Sequence, residues 1–266
     1  MARLDRLGTA KSVAQLGAVL GRTFTYELLQ AVSSLDELVV WQSLVELVRA
    51  ELLYQRGSFP EAVFTFKHAL VQDAAYQSLL RRTRQQHHAC IAQVLEARFP
   101  ETVEMQPELF AHHCTEAGLY EQAVGYWQRA GQLAQARAGY QEAIHHLMRG
   151  LEVLEELPDT PERAQREFDL RLALVPPLMT TKGFAAPEVE RLHARIRDLS
   201  QQVGEELQLV RVLRGLWTFY NVSGQRQKAR DVAEQILELS QRFDDPVCLI
   251  EVHATAAGNL FSGANR

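Results

Sequence analysis

Between Gly118 and Ala130 the chain reads Gly-Leu-Tyr-Glu-Gln-Ala-Val-Gly-Tyr-Trp-Gln-Arg-Ala. Gly118 offers a small residue at a helix–helix turn, an aromatic follows two residues on, and Ala123, Trp127 and Ala130 then share one helical face. Small residues at that spacing let two antiparallel helices approach closely, which is the packing unit of a helical-repeat array. The pattern recurs more loosely at Gly139-Tyr140-Gln-Glu-Ala143 and at Gly224-Gln-Arg-Gln-Lys-Ala229. Arrays of this kind bind and organise, and seldom catalyse. Function is therefore to be sought in surfaces and partners.

A length of 266 residues suffices for one or two domains with a sizeable core, and 47% apolar against 23% charged residues excludes a disordered chain. No apolar run reaches the eighteen or so residues of a membrane span, and the first residues lack a signal-peptide layout. Cys90, Cys114 and Cys248 are scattered and odd in number. They suit a reducing compartment in which each is a small core residue, so a cytoplasmic location is expected. Charge is uneven: residues 1–100 carry a net +2 and the remainder a net −7. Neither gives the basic field that nucleic-acid binding needs. Arg81-Arg82-Thr-Arg84 is the one basic knot, and it reads as a solvated junction between helices.

Ala10, Val13, Leu16 and Leu20 repeat at helical spacing, with Gly21 closing the helix. Phe24 to Val32 reads as a second short helix. Ser34-Leu-Asp-Glu37 has capping-box spacing and opens a third, whose buried stripe should include Leu38, Trp41, Leu44, Val45 and Val48. The period then changes. Leu52–Arg56 and Ala62–Phe66 are β-prone runs flanking Gly57-Ser58 and Pro60, a hairpin signal. Three helices followed by a two-stranded wing describe a winged-helix module over residues 1–81. A helix from His68 follows, with Leu70, Ala74 and Leu79 on its inner side.

Residues 82–266 read as helices only, over 83–99, 106–117, 120–137, 140–157, 161–180, 187–203, 206–222, 226–242 and 246–262. Thr160-Pro161 and Asp245-Pro246 each place an N-cap residue before a first-turn proline, and Gly118, Gly139 and Gly224 punctuate turns. Pro176-Pro177 should kink or split its helix. Trp41, Trp127 and Trp217 are expected in the core. The fold class expected is mainly α, a winged-helix-like module followed by an α-solenoid of helical hairpins. Leu260–Arg266 stops where a further turn and helix would begin, so a truncated array within a longer protein is expected.

Three further stretches, Ala2–Gly8, Val19-Leu-Gly-Arg-Thr-Phe24 and Phe66-Lys-His-Ala-Leu-Val-Gln-Asp-Ala-Ala-Tyr76, resemble the region just after the ATPase core in a bacterial family. Its members are multidomain ATPases of the STAND/AAA type with tetratricopeptide repeats, often fused to a class III adenylate/guanylate cyclase domain. Thr181–Glu188, Gly215-Leu-Trp217 and Ala229–Leu237 are similar to the same family's repeat region. The resemblance spans nearly the whole chain, and Phe66–Tyr76 is its most specific part. It implies a signalling switch in which a nucleotide-binding core, a winged helix and a tetratricopeptide-like array pack as a sensor. ATP and Mg are implied for the parent protein, with no cofactor in this segment.

The catalytic parts of that family have no counterpart here. A phosphate loop needs Gly-x-x-x-x-Gly-Lys-Ser/Thr, and the nearest match, Lys11-Ser12, has Asp5 and Ala10 where the glycines belong. No catalytic residue is assigned, and this segment is expected not to be an enzyme. His68 carries the one sharp functional reading. In related switch ATPases a Met-His-Asp motif begins a winged-helix helix and its histidine touches the β-phosphate of ADP; Lys67-His68-Ala69 is similar in placement, with Ala69 where the Asp belongs. The alternative is a capping or packed histidine. His87-His88, His112-His113-Cys114 and His145-His146 are adjacent pairs that diverge by about 100° on a helix, so no metal site is expected.

The expected role is thus a non-catalytic sensor and protein-interaction segment. Its partners would be a protein or small-ligand effector in the repeat groove and the adjoining nucleotide-binding core, without membrane or nucleic acid. A free-standing repeat adaptor and a transcription regulator are the alternatives; the acidic balance counts against the second.

Overall fold

The computed structural model describes residues 7–183, 186–203 and 206–240. The chain divides into two compact units, one ending at Ala123 and the other starting at Val124.

The first unit opens with α1 (Gly8–Leu20), β1 (Thr23–Thr25), α2 (Tyr26–Val32), α3 (Glu37–Arg49), β2 (Leu53–Arg56) and β3 (Val63–Phe66). The strands form one antiparallel sheet in the order β1-β3-β2. Phe24 pairs with Phe64, and Leu53 with Phe66, so these four side chains share the buried face of the sheet, while Gln55 of β2 stays exposed. Phe24 lies 6.0 Å from both Phe64 and Phe66, centroid to centroid, and Val13, Leu29, Val40, Leu44 and Leu47 of the neighbouring helices are buried as well. Removing each such side chain from water is worth about 1.5–3 kcal/mol. Gly17 lets α1 lie directly on the sheet: a Cβ there would come within 2.7 Å of the Phe24 ring. The unit continues through α4 (Ala69–Gln77), α5 (Arg81–Arg98), α6 (Pro100–Met105) and α7 (Pro107–Ala117), and α8 (Tyr120–Ala136) begins in it. Gly118 ends α7 in the left-handed region at φ 79°, where a side chain would be strained.

The second unit holds the rest of α8, then α9 (Tyr140–Leu154), α10 (Pro161–Lys182), α11 (Pro187–Val203), α12 (Glu206–Val222) and α13 (Arg226–Ser240). From α9 onward each helix packs against the next, the nearest-neighbour arrangement of a helical-repeat array. Glycines set the approach. A Cβ on Gly131 of α8 would meet Leu147 of α9 at 2.5 Å, and one on Gly150 would meet Leu170 of α10 at 3.1 Å and Trp127 at 3.2 Å. On Gly215 of α12 it would collide with the His193 imidazole of α11. Farther along, Leu209, Val210, Leu213 and Leu216 of α12 share a buried cluster with Val232 and Ile236 of α13.

Several expectations need correction. Phe24 belongs to a strand, since the Thr23–Thr25 backbone pairs with β3 before α2 starts. The N-cap of α3 is Asp36, two residues later than the capping-box reading places it, and no side chain caps it. Its buried stripe is accordingly Val40, Ser43, Leu44 and Leu47, which leaves Leu38 two-thirds exposed and Trp41 half-buried. Leu70 is exposed as well. α4 faces α1 through the Gln72 and Ser78 side of the helix, where Gln72 Nε2 donates to Ala18 O and Gln15 Nε2 donates to Ser78 Oγ. Of the two outcomes expected for Pro176-Pro177, a kink or a split, the split does not occur: α10 runs from Pro161 to Lys182 through both. One turn on, the Thr180 and Thr181 hydroxyls donate to the Pro176 and Pro177 carbonyls at 2.9 and 2.8 Å. At the α8–α9 turn the left-handed residue is Ala138, not Gly139. Trp217 is half-buried against the α12–α13 cluster, whereas Trp127 is buried. The expected helix 246–262 lies outside the described residues.

Thr160 caps α10 as its sequence requires, its hydroxyl accepting from the Arg163 amide at 3.3 Å.

Candidate functional sites

His68 stands at the N-cap of α4 with an extended backbone, φ −130° and ψ 136°. Its carbonyl accepts from the Val71 amide at 3.0 Å and the Gln72 amide at 3.4 Å. Its imidazole caps nothing and is exposed, with exposed Leu70 two residues on. The structure thus presents the His68 side chain outward from the N-cap position. Lys11 and Ser12 lie inside α1, and Arg84 of the basic knot lies over the Tyr76 ring, 4.9 Å from its centroid, while donating to Gln77 Oε1 at 2.7 Å.

The structure brings together two histidines that the sequence lists in separate pairs. His88 of α5 and His113 of α7 are both buried, with their Nδ1 atoms 2.9 Å apart. On the other side of His88, Nε2 lies 3.1 Å from the Tyr76 hydroxyl, which donates to Glu116 Oε2 at 3.5 Å. Two proton arrangements close this chain, and one of them also satisfies Glu116. Tyr76 spends its hydrogen on Glu116 and accepts from His88 Nε2–H; His88 Nδ1 is then a bare lone pair that accepts from His113 Nδ1–H. In that one, His113 Nε2 is buried with no partner among the described residues, as a lone pair rather than an N–H, the cheaper group to leave unpaired. Burial pushes the His88 imidazole down to about 3, with His112, His87 and Arg84 adding to the effect, and pushes His113 well below the usual range. Both are neutral at physiological pH. Burial, with the Glu96 charge behind it, also raises the Cys114 thiol to about 12, so it stays protonated.

The other buried histidines serve packing. His146 stacks on Trp127 with ring centroids 5.6 Å apart, and His193 donates from Nδ1 to the Val189 carbonyl at 2.8 Å. Among the described residues no group of three His, Cys, Asp or Glu side chains is placed to hold a metal ion.

Two clefts remain. In the second unit, Arg197, Asp198 and Gln201 of α11 face Leu209 and Leu213 of α12 and Gln235 and Glu238 of α13 around a volume of about 460 Å³. In the first unit, Tyr26, Trp41 and Phe59 converge on one of about 660 Å³, with Leu38, Asp36 and Glu37 around it. Sequence reasoning missed the second cleft because its residues come from three separate elements and share no period. The one available signal was the apolar arc of α3, wider than its core-facing stripe requires.

No protein-family profile matches the chain. An uncharacterized protein of Rhizobium meliloti (strain 1021) is 24% identical to it over 255 residues, covering 94% of this chain and 24% of that protein. The chain thus spans about a quarter of the length of its curated relative. Among solved structures, a signal transduction ATPase with numerous domains carrying a tetratricopeptide repeat sensor, from Pyrococcus horikoshii, aligns with it. That alignment covers 94% of this chain and 47% of the other, at 12% identity and a TM-score of 0.42. Among the described residues no helix is long and apolar enough to cross a membrane.

Proposed function

We propose that this chain is a non-catalytic sensor and protein-interaction segment of a signalling ATPase. A winged-helix module lies at its start and a tetratricopeptide-like array follows. The observation that carries this reading is the run from α8 to α13, in which glycines at 131, 150 and 215 seat one helix on the next. Such an assembly supplies contact surface and little else. The order of three helices and a β1-β3-β2 sheet closed by the 57–62 hairpin supports the winged-helix assignment of the first unit.

In this reading ATP and Mg belong to a nucleotide-binding core elsewhere in the parent. The outward-facing His68 and Leu70 at the start of α4 form the edge that meets it. The module clamps the closed, nucleotide-bound state, and an effector held by the array shifts the balance through its relative affinity for the open and closed states.

Deleting the chain from Leu119 onward in the parent protein tests this. The account expects nucleotide exchange on the parent to change by at least about tenfold, the effect of uncoupling a switch worth roughly 1.4 kcal/mol. Exchange that is the same with and without the array would overturn it.

A further inference from the structure

The aromatic cleft of the first unit has a composition that specifies its occupant. Tyr26, Trp41 and Phe59 meet edge to face, with centroids 5.7 Å apart for Tyr26–Trp41, 5.1 Å for Tyr26–Phe59 and 5.6 Å for Trp41–Phe59. Tyr26 is buried at the base, where its hydroxyl donates to Glu37 Oε1 at 3.5 Å. Phe59 is 50% exposed and Leu38 66%, so the apolar surface continues outward from the cleft. Asp36 and Glu37, both exposed, bring two carboxylates to its edge, and no lysine or arginine is among its lining residues.

An aromatic lining edged by two carboxylates, with no lysine or arginine in the lining to balance them, complements a side chain with an apolar stem and a cationic head. Arginine fits better than lysine: its planar guanidinium stacks on an indole or phenyl face and can fork to carboxylates, whereas an ammonium is a compact, strongly hydrated point charge. The exposed Leu38 and Phe59 would be covered by an apolar residue beside that arginine, which calls for a polypeptide rather than a small cation. We propose that the Tyr26–Trp41–Phe59 cleft is a docking site for an arginine-bearing segment of a partner protein, the guanidinium seated between the aromatic rings and the Asp36 and Glu37 carboxylates. The site stands apart from the switch reading, because a free-standing adaptor would present the same cleft.

The test uses the full chain carrying Trp127→Phe and Trp217→Phe, which leaves Trp41 as the single indole reporter. Two blocked peptides, Ac-Ala-Leu-Arg-Leu-Ala-NH2 and its counterpart with citrulline for arginine, are titrated while Trp41 fluorescence and its indole N–H resonance are followed. Citrulline keeps the shape and hydrogen-bonding plane and removes the charge. The expected result is saturable perturbation of Trp41 by the arginine peptide, weakened at least about tenfold by citrulline and to a similar extent by Asp36→Asn with Glu37→Gln. Both side chains are exposed; Glu37→Gln keeps an oxygen that can accept from the Tyr26 hydroxyl, and Asp36→Asn keeps a residue type favoured at a helix N-cap. Equal response to the two peptides, no response to either, or binding indifferent to the two carboxylates would overturn the proposal. So would concentration-dependent self-association that buries Trp41, since that would assign the cleft to a second copy of the chain.

Discussion

His88 and His113 face each other Nδ1 to Nδ1 at 2.9 Å, a contact that two imidazolium rings cannot make because each nitrogen would then be a donor. The pair therefore binds α5 to α7 only while at least one ring is neutral. Both are held neutral by burial, His88 down to about 3 and His113 well below its ordinary value. The unfolded chain takes up these protons near pH 6.5, before the folded chain does. The contribution is thus fully present above about pH 6.5 and is lost as pH falls from there toward the folded values, at up to about 1.4 kcal/mol per pH unit for each ring. Urea unfolding followed between about pH 7 and pH 5 should show this slope. Replacing His88 with Asn and His113 with Leu should remove most of it, leaving the shares of His87 and His193, whose imidazoles burial also holds down. A slope untouched by the double replacement would contradict the network.

Two glycines six residues apart on α8 should respond to the same substitution with opposite signs. Gly131→Ala drives a methyl into the fully buried Leu147, 2.5 Å from its Cγ, and should cost about 1–3 kcal/mol. Gly125→Ala meets no heavy atom within 4 Å and should gain about 0.5–1 kcal/mol from helix propensity alone. Thermal unfolding of both variants decides the point; equal effects would mean that α8 and α9 do not approach as described.

Glu167 ties α10 to α11. Its Oε1 accepts from Arg171 Nε at 2.7 Å and Arg195 Nε at 2.9 Å, and its Oε2 from Arg195 Nη2 at 2.8 Å. Burial raises its carboxyl, but the bonds from Arg195 and Arg171 outweigh that and hold it below the usual range. Its contribution is therefore present above the unfolded value and fades as pH falls below about 4.5, a lower window than that of the histidines. Arg195 is 43% exposed, so solvent screening limits the pair to about 1 kcal/mol. A double-mutant cycle of Glu167→Gln with Arg195→Met should return about that coupling energy, and a coupling below about 0.2 kcal/mol would contradict a working fork.

His68→Ala should leave the stability of the chain within about 0.5 kcal/mol, because the side chain is exposed and caps nothing. In the parent protein the same change should speed ADP release by roughly tenfold or more, the worth of one charge-assisted hydrogen bond to phosphate. An unchanged ADP off-rate would remove His68 from the nucleotide path.

The helices were legible because their signals are local. Thr160-Pro161, Gly118 and the Ala123–Trp127–Ala130 face each act within a turn or two, and the structure keeps all three. The β-hairpin was legible for the same reason, through Gly57 and Pro60. β1 escaped because three residues cannot display a period, and pairing with β3 forty residues away decides their state. The facing of α3 escaped because its apolar arc is wider than its buried stripe, and only tertiary contact shows that Leu38 and Trp41 lie outside the core. The His88–His113 pair is the clearest case. Each residue stands beside another histidine in sequence, and the partner it needs arrives from a different helix 25 positions away.

The central claim is that these residues make contacts and leave chemistry to another part of the parent. Calorimetric titration of Mg-ATP and of ADP into the 266-residue chain tests it most directly. The account predicts no saturable heat for either nucleotide. Saturable binding tighter than about 100 μM, or turnover of ATP by this chain alone, would contradict it.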